Sequence, residues 1–109
     1  SKEVLIDFDK SSADVKNDGH KKDFEGVYQI FVVQLGAFSS EEKAISFQKK
    51  LSEKGIESYV AKVDRDSMTL YKVREKTVYR DLNKVKERWH QIKKMGLECF
   101  VIGKYFFGS

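Results

Sequence analysis

Gln34, Tyr59, Lys72, Arg74 and Phe100 are the side chains whose types and spacing suit the holding of a ligand. Each lies in a stretch where apolar and polar residues alternate, the pattern of a strand with one buried and one open face. An amide such as Gln34 both donates and accepts a hydrogen bond. Lys72 and Arg74 stand two apart, so an extended strand turns both to one face, where they can meet anionic groups. Flat rings such as Tyr59 and Phe100 stack on sugar faces or on bases. This is the chemistry of binding rather than of bond breaking.

The residues that catalyse reactions are not grouped for it. His20 and His90 share no obvious site, and two histidines without a carboxylate pattern make a poor metal centre. Cys99 is the one cysteine. It excludes an internal disulfide framework and a Cys-based zinc site, has no histidine placed beside it, and reads as a small core residue. Trp89 falls on the apolar face of a helix and reads as core. Ser39 reads as a helix cap. No phosphate-binding loop, dinucleotide fingerprint or zincin motif occurs. The expectation is a chain with no cofactor, no metal and no enzymatic activity of its own.

The elements that position the candidate residues are legible. Tyr28 to Leu35 is rich in β-branched and aromatic residues and predicts a strand that Gly36 ends. Ser39-Ser-Glu-Glu42 predicts a capping box. Ala44, Phe47 and Leu51 fall on one face of the helix that follows, and Lys54-Gly55 ends it. Ile56 to Val63 predicts a second strand, residues 64–67 a turn and Met68 to Glu75 a third strand. Asp81 caps a second helix with Leu82, Val85, Trp89 and Ile92 on one face, and Gly96 ends it. Leu97 to Ile102 predicts the fourth strand, with a tail to Ser109.

The order is β-α-β-β-α-β. An internal repeat at an offset of 41 residues aligns Ser40 with Asp81, Leu51 with Ile92 and Gly55 with Gly96. The fold class is therefore α+β, a ferredoxin-like split βαβ: a four-stranded antiparallel sheet with two helices on one face and the other face open. Parity assigns Phe31, Val33, Leu35, Tyr71, Val73, Val60 and Val101 to the core, with the small Ser58 and Cys99. It leaves Gln34, Lys72 and Arg74 at a polar, basic centre of the open face, flanked by Val32, Leu70, Tyr59 and Phe100. The competing expectation is that the N-terminal segment, the tail or a dimer partner covers this face.

Charge divides the chain. The 109 residues carry a net +4, but residues 1–27 carry five Lys/Arg against seven Asp/Glu, while residues 28–109 carry sixteen against ten. The first part predicts a linker, with Val4, Ile6 and Phe8 able to add a short strand over residues 4–8. The second part, 28–109, is the domain, and its net positive charge favours an anionic partner such as nucleic acid, acidic glycan or a membrane surface. A soluble, self-repelling surface is the plainer alternative. No run approaches the roughly 20 apolar residues that span a bilayer. The N-terminus lacks the segments of a signal peptide, so any signal or anchor is expected outside these residues.

Val33-Gln34-Leu35-Gly36-Ala37-Phe38-Ser39, followed by Glu42-Lys43-Ala44, resembles the opening of a SPOR domain, the sporulation-related repeat. Lys54-Gly55-Ile56 and the strand to Val60 continue the pattern, and Tyr71-Lys72-Val73-Arg74 resembles the start of its second repeat. The resemblance covers about residues 28 to 104. It departs after the third strand, where the family has Val-Gly-Pro-Phe and this chain has Glu75-Lys76-Thr77-Val78-Tyr79, so the loop into the second helix is expected to differ.

The resemblance implies a non-catalytic peptidoglycan-binding module that recognises denuded glycan strands, those stripped of stem peptides, at the division septum. It implies a periplasmic or other extracytoplasmic location and binding on the open sheet face. Gln34 and Phe100 match the family's typical contacts, and Leu70 stands where the family can place an aromatic. With the face read from the residues, the candidate glycan-binding set is Val32, Gln34, Tyr59, Leu70, Lys72, Arg74 and Phe100. The expected partners are denuded strands and divisome proteins, with the chain a monomer that contacts neither nucleic acid nor membrane. The alternatives are single-stranded nucleic-acid binding in the manner of an RRM, which shares this sheet but needs a third-strand aromatic motif absent here, and a protein-interaction domain.

Overall fold

The computed structural model describes residues 2–8 and 30–105. The elements are β1 (Lys2–Ile6), β2 (Ile30–Phe38), α1 (Glu41–Glu53), β3 (Ser58–Arg65), β4 (Met68–Glu75), α2 (Leu82–Lys94) and β5 (Phe100–Tyr105). One antiparallel sheet runs in the order β1-β5-β2-β4-β3. The split βαβ arrangement places β2 and β4 centrally, as the sequence predicts. The sheet has five strands rather than four, because β1 pairs with β5. The rest of the expected linker, residues 9–27, and the end of the tail, residues 106–109, lie outside the described residues.

The two helices begin and end by the same local devices. Ser40 caps α1, its hydroxyl accepting from the Lys43 amide at 3.4 Å, and Asp81 caps α2, its carboxylate accepting from the Asn83 amide at 2.9 Å. The cap of α1 is thus Ser40 and not Ser39. Three residues on stands Lys43, so no glutamate returns the bond and there is no capping box. Both helices stop at a glycine in the left-handed region, Gly55 at φ +84° and Gly96 at φ +85°. Ile56 donates its amide to the Leu51 carbonyl at 2.9 Å, and both side chains are buried. This Schellman closure occupies the predicted start of the second strand, so β3 begins at Ser58.

Gly36 does not end β2. Gln34 lies opposite Arg74, but Gly36 lies opposite Val73, so Leu35 is the extra residue of a β-bulge. Leu35 is buried, while Gly36 lies against the rings of Phe38 and Phe47. A Cβ at Gly36 would stand 2.9 Å from Phe38 and 3.2 Å from Phe47. The strand then continues to Phe38, whose ring packs on Phe47 of α1 at 5.3 Å.

The core lies between sheet and helices. Ile6, Phe8, Phe31, Val33, Leu35, Val73 and Val101 meet Ala44 and Leu51 of α1 and Leu82, Val85 and Ile92 of α2. Tyr71 and Val60 pack against this cluster as partly buried residues. Phe8 carries the β1 end onto α2, its ring 5.1 Å from Trp89. Trp89 is half-buried and donates its indole N–H to the Cys99 carbonyl at 3.1 Å. Cys99 is buried, and burial pushes its thiol up to about 11, so it stays a protonated core residue at neutral pH. β5 starts only at Phe100, three residues after the predicted Leu97, and runs on to Tyr105.

The loop from β4 to α2 is tied down by Glu75, which is buried. Tyr79 donates its hydroxyl to Glu75 at 2.9 Å, and Arg88 of α2 donates Nε to the other carboxylate oxygen at 2.9 Å. Tyr79 also exchanges two backbone hydrogen bonds with Phe31. Anchored side chains thus hold the loop where the resembled family has a Gly-Pro turn.

Candidate functional site

Four of the seven candidate residues form one line across the sheet. Phe100 of β5 lies opposite Gln34 of β2, Gln34 opposite Arg74 of β4, and Arg74 opposite Tyr59 of β3. Directly opposed residues share a face, so aromatic, amide, guanidinium and phenol stand side by side away from the helices. Phe100 is 49% exposed, whereas Tyr59 and Gln34 are half-buried.

The remaining three candidates lie off this line. Lys72 sits opposite Ala37 and Ala61, and Leu70 opposite Val63. Both are half-buried and line a shallow recess with Val63, Arg65, Asp66 and Met68 beside the β3–β4 turn. Val32 sits opposite Ile102 of β5, and both are buried. Val32 is only 1% exposed, so it is a floor beneath the face rather than a surface to touch.

Arg74 also differs from a solvent-facing cation: it is 4% exposed. Its Nε donates to the Gln34 amide oxygen at 3.1 Å. Its Nη1 and Nη2 donate to the two oxygens of Glu3 at 2.9 and 2.8 Å. Lys104 of β5 adds a longer ion pair to Glu3 at 3.6 Å. β1 and β4 are separated by β5 and β2, about 14 Å across the strands at about 4.8 Å per spacing, and Glu3 pairs through Lys104 with Ile30, four residues along β2 from the Gln34 that faces Arg74. The long Arg74 and Glu3 side chains meet across this separation, with hydrogen bonds of 2.9 and 2.8 Å.

This cluster sets the local charge. The bidentate hydrogen bonds from Arg74 hold the Glu3 carboxyl down to about 2, against partial burial that raises it, with further attraction from Arg74, Lys104 and Lys72. The same bonds raise Arg74, with Tyr59 a smaller contributor, so the guanidinium is charged throughout. The expectation of an uncovered basic centre is replaced by a guanidinium held between Gln34 and an internal carboxylate. Glu3 and Lys104 are the two site residues the sequence reading passed over. The alternation of Val4 and Ile6 with Glu3 and Leu5 was the signal for Glu3. Ile6 enters the core, so its odd-numbered neighbours face the other way.

Among the described residues no group of three His, Cys, Asp or Glu side chains could hold a metal ion, and no helix is long and apolar enough to cross a membrane. A split βαβ sheet with helices on one face and this aromatic–amide–cation row on the other defines a class of small sheet modules. The SPOR domain family model matches residues 28–103, and the chain belongs to that family. Its structure is similar to the crystal structure of the SPOR domain of RlpA from Pseudomonas aeruginosa, with TM-score 0.53 and 20% identity over 65% of this chain and 95% of that one. It is also similar to the solution structure of the peptidoglycan-binding domain of the Bacillus subtilis cell wall lytic enzyme CwlC, with TM-score 0.54 and 27% identity over 69% and 89%. No curated protein sequence matches the chain.

Proposed function

We propose that this chain is a non-catalytic peptidoglycan-binding module that recognises denuded glycan strands on the sheet face opposite the helices. The observation that carries the reading is the row Phe100–Gln34–Arg74–Tyr59, set on a SPOR-family sheet whose structure is similar to that of the CwlC peptidoglycan-binding domain. Removing a stem peptide frees the lactyl carboxylate of each N-acetylmuramic acid, so a denuded strand is a spaced polyanion that also bears N-acetyl amides. Arg74 is suited to a carboxylate by its fork of parallel donors, and Lys72 by its charge. Gln34 matches an N-acetyl group, and Phe100 and Tyr59 present rings to pyranose faces. Leu70 supplies apolar contact at the hairpin end.

The module acts in the extracytoplasmic cell envelope and directs its parent protein to the septum, where amidases expose such strands, beside divisome proteins. Nucleic-acid binding is the weaker reading, because β4 turns Leu70, Lys72 and Arg74 to this face and no aromatic. Co-sedimentation with purified sacculi before and after amidase treatment tests the proposal. Binding that rises with amidase treatment supports it, and equal binding to both sinks the selectivity for denuded strands.

A further inference from the structure

The carboxylate already bound to Arg74 belongs to the protein itself. Glu3 takes both terminal nitrogens of the guanidinium, and Gln34 takes the third, Nε. The end-on pair of donors that a glycan carboxylate would take bidentately is therefore engaged while β1 is docked. A nearly buried guanidinium without a carboxylate is strongly disfavoured, so Glu3 cannot simply leave. An exchange of one carboxylate for another is close to balanced, and it leaves the buried charge paired throughout.

The Glu3 end of β1 suits such an exchange, since Ile6 and Phe8 anchor the other end in the core. β1 is a five-residue strand at the edge of the sheet and pairs only with β5. Leu5 is 56% exposed, and Glu3 itself keeps 38% of its side-chain surface in solvent. Arg74, Lys104 and Lys72 all act on the one Glu3 carboxylate. The cluster is thus a built carboxylate site whose present occupant is tethered at the least-paired strand of the sheet.

We propose that β1 is an internal competitor for the binding face: Glu3 holds Arg74 in place of a ligand carboxylate, and a carboxylate-bearing glycan strand binds by displacing it. This rests on the glycan-binding reading above and adds the regulation of that site. The docked strand weakens apparent affinity in proportion to the time it occupies Arg74. It also sharpens selection, since a strand whose carboxylates are still amidated has nothing to exchange for Glu3.

The test measures binding of the full chain to amidase-treated sacculi. Glu3→Gln keeps the shape of the side chain and removes its charge, and its affinity is expected to rise on the order of tenfold. An affinity that is unchanged or lower overturns the competitor role. A second variant removes dependence on that substitution. Leu5 and Ile102 are directly opposed in β1 and β5, within disulfide reach. The pair Leu5→Cys with Ile102→Cys is expected to bind about tenfold more weakly oxidised than reduced. Equal binding in the two redox states overturns the proposal. If wild type, Glu3→Gln and the reduced pair all ignore treated sacculi, the glycan-binding reading falls and takes this proposal with it. Wild-type binding without a gain in Glu3→Gln removes the competitor alone.

Discussion

Arg74 and Glu3, 71 residues apart in the chain, face each other through two parallel hydrogen bonds of 2.9 and 2.8 Å. The pair joins the edge strand β1 to the central strand β4 across the face that carries the candidate ligand contacts. Its behaviour therefore bears on both the stability of the strand and the state of the site.

Acid should undock β1. The Glu3 carboxyl is held at about 2 against an ordinary 4.5, facing Arg74, Lys104 and Lys72. A folded value below the unfolded one means the stabilisation is complete above pH 4.5 and is lost as pH falls from there toward 2. Phe8, two residues past the end of β1, packs its ring at a tilt on Trp89, the single tryptophan. Tryptophan fluorescence should change over that window while far-ultraviolet circular dichroism holds, and Glu3→Gln should lack the transition. A fluorescence signal flat to pH 2 would remove the coupling.

Phe100 is half exposed at the head of the cross-sheet row, so its truncation costs the fold little. Phe100→Ala should weaken binding to treated sacculi about tenfold, equal to about 1.4 kcal/mol, with the thermal midpoint moved by no more than a few degrees. Retained affinity would move the site off this end of the row.

Gly36 should not tolerate a methyl group. Its Cβ would come within 2.9 Å of the Phe38 ring and 3.2 Å of the Phe47 ring. Gly36→Ala should lower unfolding stability by about 1–3 kcal/mol in urea titration, the range for overpacking. Phe47→Leu on the same chain should recover part of that loss by making room.

Glu75 is the joint between β4, the following loop and α2. Glu75→Ala leaves the Tyr79 hydroxyl and the Arg88 guanidinium without their shared partner and should cost about 2–3 kcal/mol in urea titration. Burial and Glu75 together push the Tyr79 hydroxyl up to about 12 from its ordinary 10. That contribution is complete below pH 10 and is lost as pH rises toward 12, so the part of the wild-type advantage over Glu75→Ala that comes from the Tyr79–Glu75 hydrogen bond should shrink in that window.

The repeat, the two helices and the helix-facing parity of β2 and β4 were legible because they rest on local rules. Ser40 and Asp81 cap equivalent helices, and Gly55 and Gly96 end them at nearly the same φ. The errors share a cause. Gly36 read as a strand end because a glycine marks either a stop or a bulge, and only the packing of Phe38 on Phe47 distinguishes them. Ile56 and Leu97 read as strand residues because they are apolar, but Ile56 closes α1 and Leu97 packs against the core from the loop before β5.

By itself the sequence determined the split βαβ order, the helix-facing residues and the gathering of Gln34, Arg74, Tyr59 and Phe100 on the other face, since alternation along each strand carries that information. Tertiary structure decided which of them stand in one row and which are free. Register across strands follows from pairing and from the bulge at Leu35, neither of which is local. The state of Arg74 was beyond any local rule. Whether a guanidinium meets solvent, a ligand or Glu3 depends on an edge strand, 71 residues away in the chain, docking so that its carboxylate reaches Arg74.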